Sequence, residues 1–160
     1  MSNSQSLPGE DREAGGALCV DLIPSSSWFR NVRAAVVAED WDVLRRHVYA
    51  RAGYRCELCG ADSRLEAHER FFYDELIGIQ KLMRIIALCR QCHDTTHFGL
   101  ASIQGRAEAA AEHLALVRGW SAEEVGIHVD DAFVDWQRRS RIEWRVDLSM
   151  ITNAGFKTTQ

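Results

Sequence analysis

The sequence predicts an α+β domain in which a small sheet is flanked by helices on its N-terminal and C-terminal sides. Three observations lead to this class. Two Cys-x-x-Cys pairs, Cys56 with Cys59 and Cys89 with Cys92, mark tight turns in the middle of the chain. The segment between the pairs contains two stretches typical of strands. Apolar residues recur at helical spacing before and after that segment.

Length and composition limit the possible classes. A chain of 160 residues can bury a core as a single domain. We expect a disordered arm over residues 1–16, one domain over residues 17–151 and a flexible tail over residues 152–160. No apolar run is long enough to cross a bilayer, so we expect no membrane partner. The net charge of −4 does not by itself indicate a nucleic-acid-binding protein, although local patches decide such contacts.

A strand and two helices are predicted before the first cysteine pair. Residues 17–23 form an apolar run that ends at a proline, which is typical of a short strand. Serines at positions 25–27 can cap a helix. Residues 40–52 carry a second helical stripe that ends at a glycine. The apolar face of the first of these helices would be Phe29, Val32 and Val36.

Two strands and a short helix are predicted around the second cysteine pair. Residues 64–73 are typical of a strand, and residues 74–78 are typical of a turn. Residues 79–88 can return as a second strand, although residues 80–88 also suit a short helix. The helix that follows Cys92 would end at Gly99.

The C-terminal third predicts two further helices. Small and apolar residues over 107–117 mark the first helix, and Gly119 ends it. Ser121 and Glu124 form a capping box at the start of the second.

A closing strand is predicted over residues 141–151, because apolar and polar residues alternate there. The triplet Val-Asp-Leu occurs at residues 146–148 and again at residues 20–22. We therefore expect these two segments to pair and to bring the ends of the domain together.

Four cysteines in two such pairs are typical of a metal site. Thiolates from two Cys-x-x-Cys turns can surround one zinc ion in a closed tetrahedron, which is a structural arrangement. The alternative is that the cysteines are small buried apolar residues. The fifth cysteine, Cys19, leaves an odd number that does not fit a disulfide framework. We therefore expect structural Zn²⁺ on the four paired cysteines and a reducing, cytoplasmic location.

Three histidines form a second candidate metal site. His93 and His97 are four residues apart, so a helix would place both on one face, and His68 lies between the cysteine pairs. Three neutral imidazoles on Mg²⁺, Mn²⁺ or Zn²⁺ leave coordination positions open for water or a phosphate oxygen. The alternative is that His93 or His97 is only a helix-surface residue.

The order of these residues resembles the HNH (His-Me finger, ββα-metal) endonucleases with a four-cysteine zinc site. The resemblance covers residues 49–98 and rests on the first cysteine pair, Leu-Glu-Ala-His-Glu around His68, and Leu-Cys-x-x-Cys-His-x-x-x-His at residues 88–97. It implies a zinc-stapled ββα-metal core with flanking N-terminal and C-terminal helices. It also implies that His68, His93 and His97 hold the catalytic metal.

Two positions depart from the family pattern. This chain has Glu69 where the family has a histidine that acts as general base, and Arg84 where the family has an orienting asparagine. Glu69 can be a base tuned by burial, a further metal ligand, or a sign that hydrolysis has been lost. In another register His68 is the base and Ala67 occupies the ligand position. Arg84 can contact phosphate or be an ordinary surface arginine.

Basic residues on two segments could form a phosphate-contacting surface. The alternative is a solvated face with local ion pairs, such as Asp42 with Arg45. The residues concerned are Arg45, Arg46, Arg51, Arg55, Arg138, Arg141 and Arg145.

Taken together, the residues and the resemblance predict a metal-dependent endonuclease that hydrolyses DNA, with His68, Glu69 and Arg84 as catalytic residues. The alternative is a zinc-binding module that has lost catalysis. Such a module would bind nucleic acid, or a protein partner through its C-terminal helices.

Overall fold

A computed structural model describes residues 6–159, and these residues have a mixed α+β fold with a three-stranded sheet. In chain order, the elements are a 3-10 helix at Ser25–Ser27, α1 (Val32–Ala35), α2 (Ala38–Arg51), β1 (Leu65–Asp74), β2 (Ile79–Cys89), α3 (Arg90–Thr96), α4 (Phe98–Ile103), α5 (Ala107–Arg118), α6 (Ala122–Arg139), β3 (Arg145–Asp147) and α7 (Ser149–Asn153). The sheet order is β1-β2-β3. The fold therefore agrees with the predicted α+β class.

The hairpin of β1 and β2 is the centre of the fold. Its strands are antiparallel, and Leu65 pairs with Cys89 at the end that carries the second cysteine pair. At the other end the turn requires Gly78, because φ there is +66° and a Cβ would lie 2.9 Å from the carbonyl oxygen of Glu143. The hairpin confirms both predicted strands and the turn, and it excludes the alternative helix over residues 80–88.

The hairpin separates two apolar clusters. Ile86 and Leu88 belong to one cluster, which includes Leu114 of α5 and Val125 of α6. Ala87 belongs to the other cluster, which α2 and α7 cover. Neighbouring residues of β2 reach opposite clusters because side chains alternate along a strand. β2 is consequently buried on both of its faces.

The two predicted outer strands are corrected by the structure. Residues 17–23 are irregular: the Val20 N–H donates to His128 Nε2 at 3.0 Å, and the Asp21 N–H donates to the Thr96 carbonyl at 3.0 Å. These groups therefore find partners without a neighbouring strand, while Leu18 and Val20 still enter the core.

The closing strand is also shorter than predicted, and its expected pairing with residues 20–22 is wrong. Only Arg145–Asp147 is a strand, and it pairs in parallel with the start of β2. The Asp147 carboxylate accepts a hydrogen bond from the Ser149 N–H at 2.8 Å, at the point where the strand ends and α7 begins.

The helices agree with the predictions at some positions and differ at others. α2, α5 and α6 confirm the predicted helices, and both hydrogen bonds of the Ser121–Glu124 capping box are present. The helix expected from the serines to Val36 is divided instead, because the Asn31 side chain accepts from the Ala34 N–H and starts α1 there. Phe29 consequently lies outside any helix. α3 ends at Thr96 rather than at Gly99, which lies within α4.

The segments outside the predicted domain boundaries also make contacts. The Glu10 carboxylate is fully buried against the Arg51 guanidinium, although it belongs to the segment expected to be a disordered arm. At the other end the Thr159 N–H donates to the Ala35 carbonyl at 2.7 Å. Residues 1–5 of the expected arm and residue 160 of the expected tail lie outside the described residues. Within residues 6–159, no helix combines the length and the apolar character needed to cross a membrane.

Candidate metal sites and the adjoining cleft

The four paired cysteines converge into one cluster. The Sγ atoms of Cys56, Cys59, Cys89 and Cys92 all lie within 4.8 Å of one another, and those of Cys59 and Cys89 are 3.6 Å apart. A zinc–sulfur bond of about 2.3 Å gives a tetrahedron with edges of about 3.8 Å, so the spacing fits such an ion. The four cysteines can therefore hold a metal ion such as zinc.

Two anchors bring the cysteine pairs together. The Cys89 Sγ accepts from the Cys92 N–H at 3.4 Å, which tightens the turn into α3. The first pair is joined to β2 through Glu57, whose N–H donates to the Ala87 carbonyl at 2.9 Å and whose carboxylate accepts from the Ala87 N–H at 2.7 Å. This double contact fixes the first cysteine turn beside the second.

The thiols of the cluster differ in how readily they lose a proton. A hydrogen bond from Cys92 lowers the pKa of the Cys56 thiol to about 4, and the same contact raises the pKa of Cys92. On α5, His113 Nε2 lies 3.1 Å from the Cys92 Sγ. Sequence reasoning did not find His113, because the twenty or so residues that separate it from Cys92 carry no local pattern.

The three predicted histidines also converge. β1 contributes His68, α3 contributes His93, and His97 directly follows α3. Each offers a ring nitrogen within 4.8 Å of the other two. His68 Nδ1 and His97 Nε2 are 3.1 Å apart. The other nitrogen of His68, Nε2, is buried and has no hydrogen-bond partner among the described residues. The three ring nitrogens fit a divalent ion that accepts imidazole ligands.

Burial favours the neutral form of the three histidines. Burial lowers the pKa of His68 well below its ordinary value, and the neighbouring charges of His97, Arg70 and His93 lower it further. Burial, followed by the charges of His93 and Arg70, lowers the pKa of His97 to about 4. A neutral imidazole has a free lone pair that can bind a metal ion. By lowering the pKa values of these histidines, the environment therefore favours the form that binds metal.

Two residues that sequence reasoning missed support this triad. The Glu66 carboxylate lies 3.3 Å from His93 Nδ1, which orients that ring in the way that carboxylates orient metal-binding histidines. Arg70 is buried beside the triad, where its Nη1 donates to the Asp21 carboxylate at 3.2 Å. Glu66 and Arg70 are each two residues from His68 on the strand. The two-residue period of β1 could have predicted that they share its face.

The triad opens into a cleft with a volume of about 790 Å³. Among residues 6–159, Arg33 and Arg64 line this cleft without an ion pair, whereas Arg45 and Arg90 are paired with Asp42 and Asp94. The residues that line it are Ile23, Trp28, Phe29, Asn31, Arg33, Trp41, Asp42, Arg45, Tyr49, Arg64, Leu65, Glu66, Ala67, His68, Glu69, Arg90, His93, His97 and Leu100.

Glu69 lines the same cleft from the other side of β1. Its carboxylate accepts a hydrogen bond from the Val32 N–H at the start of α1. Burial raises the pKa of Glu69 to about 7, although the hydrogen bond from Val32 opposes that effect. Because Glu69 follows His68 directly on a strand, its side chain leaves the opposite face. The cleft extends around the edge of the sheet, where β1 is the outermost strand.

Arg84 is not brought to the triad, and it does not line the cleft. Its guanidinium donates to the Glu57 carboxylate at 2.8 Å and to the Arg12 carbonyl at 2.7 Å, and it lies 3.5 Å from the Glu10 carboxylate. Arg51 joins the same acidic pair. These contacts place Arg84 in an ion-pair network that ties the N-terminal segment, α2 and β2 to the first cysteine turn.

Most arginines of the predicted basic surface form ion pairs with nearby carboxylates. Arg55 lies 3.7 Å from the Asp62 carboxylate, and Arg138 lies 2.7 Å from both Glu75 and Asp135. Arg46 donates to a backbone carbonyl at 3.0 Å. Many of these side chains therefore serve local contacts, as the alternative interpretation of a solvated face expects.

Comparisons of the chain with protein-family models, with curated proteins and with solved structures found no match. The geometry of the site therefore carries the functional argument.

Proposed function

We propose that the protein is an HNH-like, metal-dependent endonuclease that hydrolyses phosphodiester bonds of DNA. The observation that carries this proposal is the convergence of His68, His93 and His97, three neutral imidazoles, on one open cleft. Arg33 and Arg64 lie in the same cleft, have no acidic partner within residues 6–159, and can attract a phosphate backbone. An open metal position next to free guanidinium groups is a combination that phosphodiester hydrolysis uses.

The residues of the cleft have separate tasks in this proposal. The three histidines hold Mg²⁺, Mn²⁺ or Zn²⁺, and Glu66 keeps the His93 ring oriented toward the others. When bound, the ion polarises the phosphate and lowers the pKa of water. To Glu69, which lines the same cleft from the opposite face of β1, we assign the proton of the attacking water, and its pKa of about 7 suits a base that works near neutral pH.

The four cysteines have a structural task in this proposal. A closed set of four thiolates leaves no open position for substrate, so we assign Zn²⁺ to them as a scaffold ion. Its effect is to hold the start of α3 against the first cysteine turn, and thereby to place His93 and His97 opposite His68. Free thiols persist in reducing compartments, which favours a cytoplasmic location.

A second candidate is a zinc module without catalytic activity. The observation in its favour is that Arg84, at the position of the family asparagine, is committed to the network of Glu10 and Glu57. Leu116 on α5 and Ile127 on α6 are large exposed apolar side chains, which a protein partner could cover.

Plasmid nicking with added Mg²⁺ or Mn²⁺ distinguishes the two candidates. His93→Ala is the most suitable ligand variant, because the His93 side chain is 22% exposed and its loss opens no deep cavity. We expect wild type to nick DNA, and His93→Ala and Glu69→Gln to be slower by about a hundredfold or more. Asp62→Ala changes an exposed carboxylate away from the cleft and serves as the matched control. Equal inactivity of wild type and variants with every metal would favour the zinc module.

A further inference from the structure

A second cavity, of about 570 Å³, adjoins the histidine cleft. The two form one continuous depression with His97 of the triad at their junction, because they share Ile23, Trp28, Phe29, His97 and Leu100. The second cavity differs in chemistry, because its further walls are the apolar side chains of α4 and α6, such as Phe133. Its volume is within the range of about 300–1,000 Å³ that is usual for pockets that bind small ligands.

The aromatic residues at the junction are exposed although their segment is anchored. Phe29 is 83% exposed and Trp28 is 42% exposed. On either side of them the backbone is held, because the Arg30 N–H donates to the Ser27 carbonyl at 2.9 Å and the Arg30 guanidinium donates to the Trp144 carbonyl at 2.8 Å. Two aromatic rings are therefore presented to solvent from a fixed position beside the triad.

Charge complementarity indicates what occupies the depression. The guanidinium groups of Arg33 and Arg64, which have no ion-pair partner among the described residues, line the histidine cleft, and the apolar cavity adjoins that cleft at His97. A ligand that matches both sides has an anionic part next to a flat apolar part. A nucleotide with an unstacked base has this form, whereas a base within a duplex keeps its faces covered by its neighbours.

We propose that the apolar cavity receives the base of an unpaired nucleotide, so that the substrate of the histidine site is single-stranded DNA. This inference rests on the proposed endonuclease function and specifies its substrate. Phe29 and Trp28 stack on the base, and the phosphate next to it faces His97 and the other histidines. The cavity reads the flat face of a base rather than its edges, so binding depends little on sequence.

Binding of fluorescent oligonucleotides without added Mg²⁺ or Mn²⁺ tests the inference independently of cleavage. The probes are an oligothymidylate strand, a duplex of the same length and an oligouridylate strand. We expect the oligothymidylate to bind more tightly than the duplex, and Phe29→Ala to weaken that binding about tenfold. Leu76→Ala, at a side chain that is 97% exposed in the hairpin turn, is the matched control and should bind as wild type does. Because both side chains are exposed, neither substitution endangers the fold.

Several results would overturn the inference. Equal binding of strand and duplex, unchanged binding by Phe29→Ala, or no binding at all would each contradict it. Tighter binding of the oligouridylate would assign the cavity to RNA, and a dimer that Phe29→Ala dissociates would assign it to a second copy of the chain.

Cleavage and binding measured together distinguish a wrong substrate assignment from a wrong endonuclease assignment. A protein that nicks duplex DNA, with Phe29→Ala as active as wild type, would be an endonuclease without this substrate preference. A protein that binds single strands through Phe29 and cleaves nothing would keep the binding site and lose the nuclease.

Discussion

Removal of the Glu57 carboxylate should destabilise the whole domain, because this side chain joins the first cysteine turn to the sheet. It accepts from the Ala87 N–H at 2.7 Å, from Arg84 at 2.8 Å and from Arg51 at 3.4 Å, while only 17% of it is exposed. Breaking a buried ion pair by removing one partner costs about 3–5 kcal/mol. In Glu57→Ala, Arg51 and Arg84 would still form ion pairs with Glu10. We therefore expect the substitution to lower the free energy of unfolding by about 3 kcal/mol, at the lower end of that range.

The assay is urea unfolding of zinc-loaded protein, followed by tryptophan fluorescence. With a slope of about 2 kcal/mol per molar urea, Glu57→Ala should lower the midpoint by about 1.5 M. Glu57→Gln keeps an acceptor for the Ala87 N–H and should lose about half as much free energy of unfolding. Asp62→Ala removes a carboxylate from an exposed pair near the same turn and should change stability by less than about 0.5 kcal/mol. If Glu57→Ala were as stable as Asp62→Ala, the network would have no structural role.

Two further predictions concern the metal and pH. Chelation of the scaffold metal, or Cys92→Ser, should abolish the cooperative unfolding transition seen by circular dichroism, because sites of this kind supply folding free energy directly. An unchanged transition would contradict the structural role of the cysteines. His128 Nε2 accepts a hydrogen bond from the Val20 N–H, and burial lowers the pKa of His128 below its ordinary value. The stabilisation that this hydrogen bond gives is therefore present above pH 6.5. It is lost as the pH falls through the lowered pKa, because the protonated ring cannot accept the hydrogen bond. Between pH 7 and pH 5, the free energy of unfolding of wild type should fall by about 1 kcal/mol more than that of His128→Gln. An equal fall in both proteins would refute this prediction.

Most of the candidate metal ligands were predictable because their spacing is local. A Cys-x-x-Cys turn and two histidines four residues apart need only a turn and one helical turn to place their side chains. The hairpin was predictable for a similar reason, since two β-rich stretches flank a turn that contains a glycine. The third histidine joins the other two because the hairpin register places His68 near α3.

The parts that the sequence did not predict depend on distant partners. Residues 17–23 have the apolar composition of a strand, but their N–H groups bond to His128 and to the Thr96 carbonyl. Arg84 was expected near the phosphate, whereas the structure pairs it with carboxylates that are far from it in sequence. The apolar cavity arises where α4 and α6 meet the Phe29 segment, and no local pattern describes that meeting. Glu66 and Arg70 could have been found, because each lies two residues from His68 on β1.

The number of divalent ions per chain tests the central claim most directly. Zinc-loaded wild type and His93→Ala would be titrated with Mn²⁺ and examined by metal analysis and electron paramagnetic resonance. We expect wild type to carry zinc on its four cysteines and one further Mn²⁺ on the histidines, and His93→Ala to keep the zinc and lose the Mn²⁺. Absence of a second ion from wild type, or its retention by His93→Ala, would contradict a metal site at the three histidines.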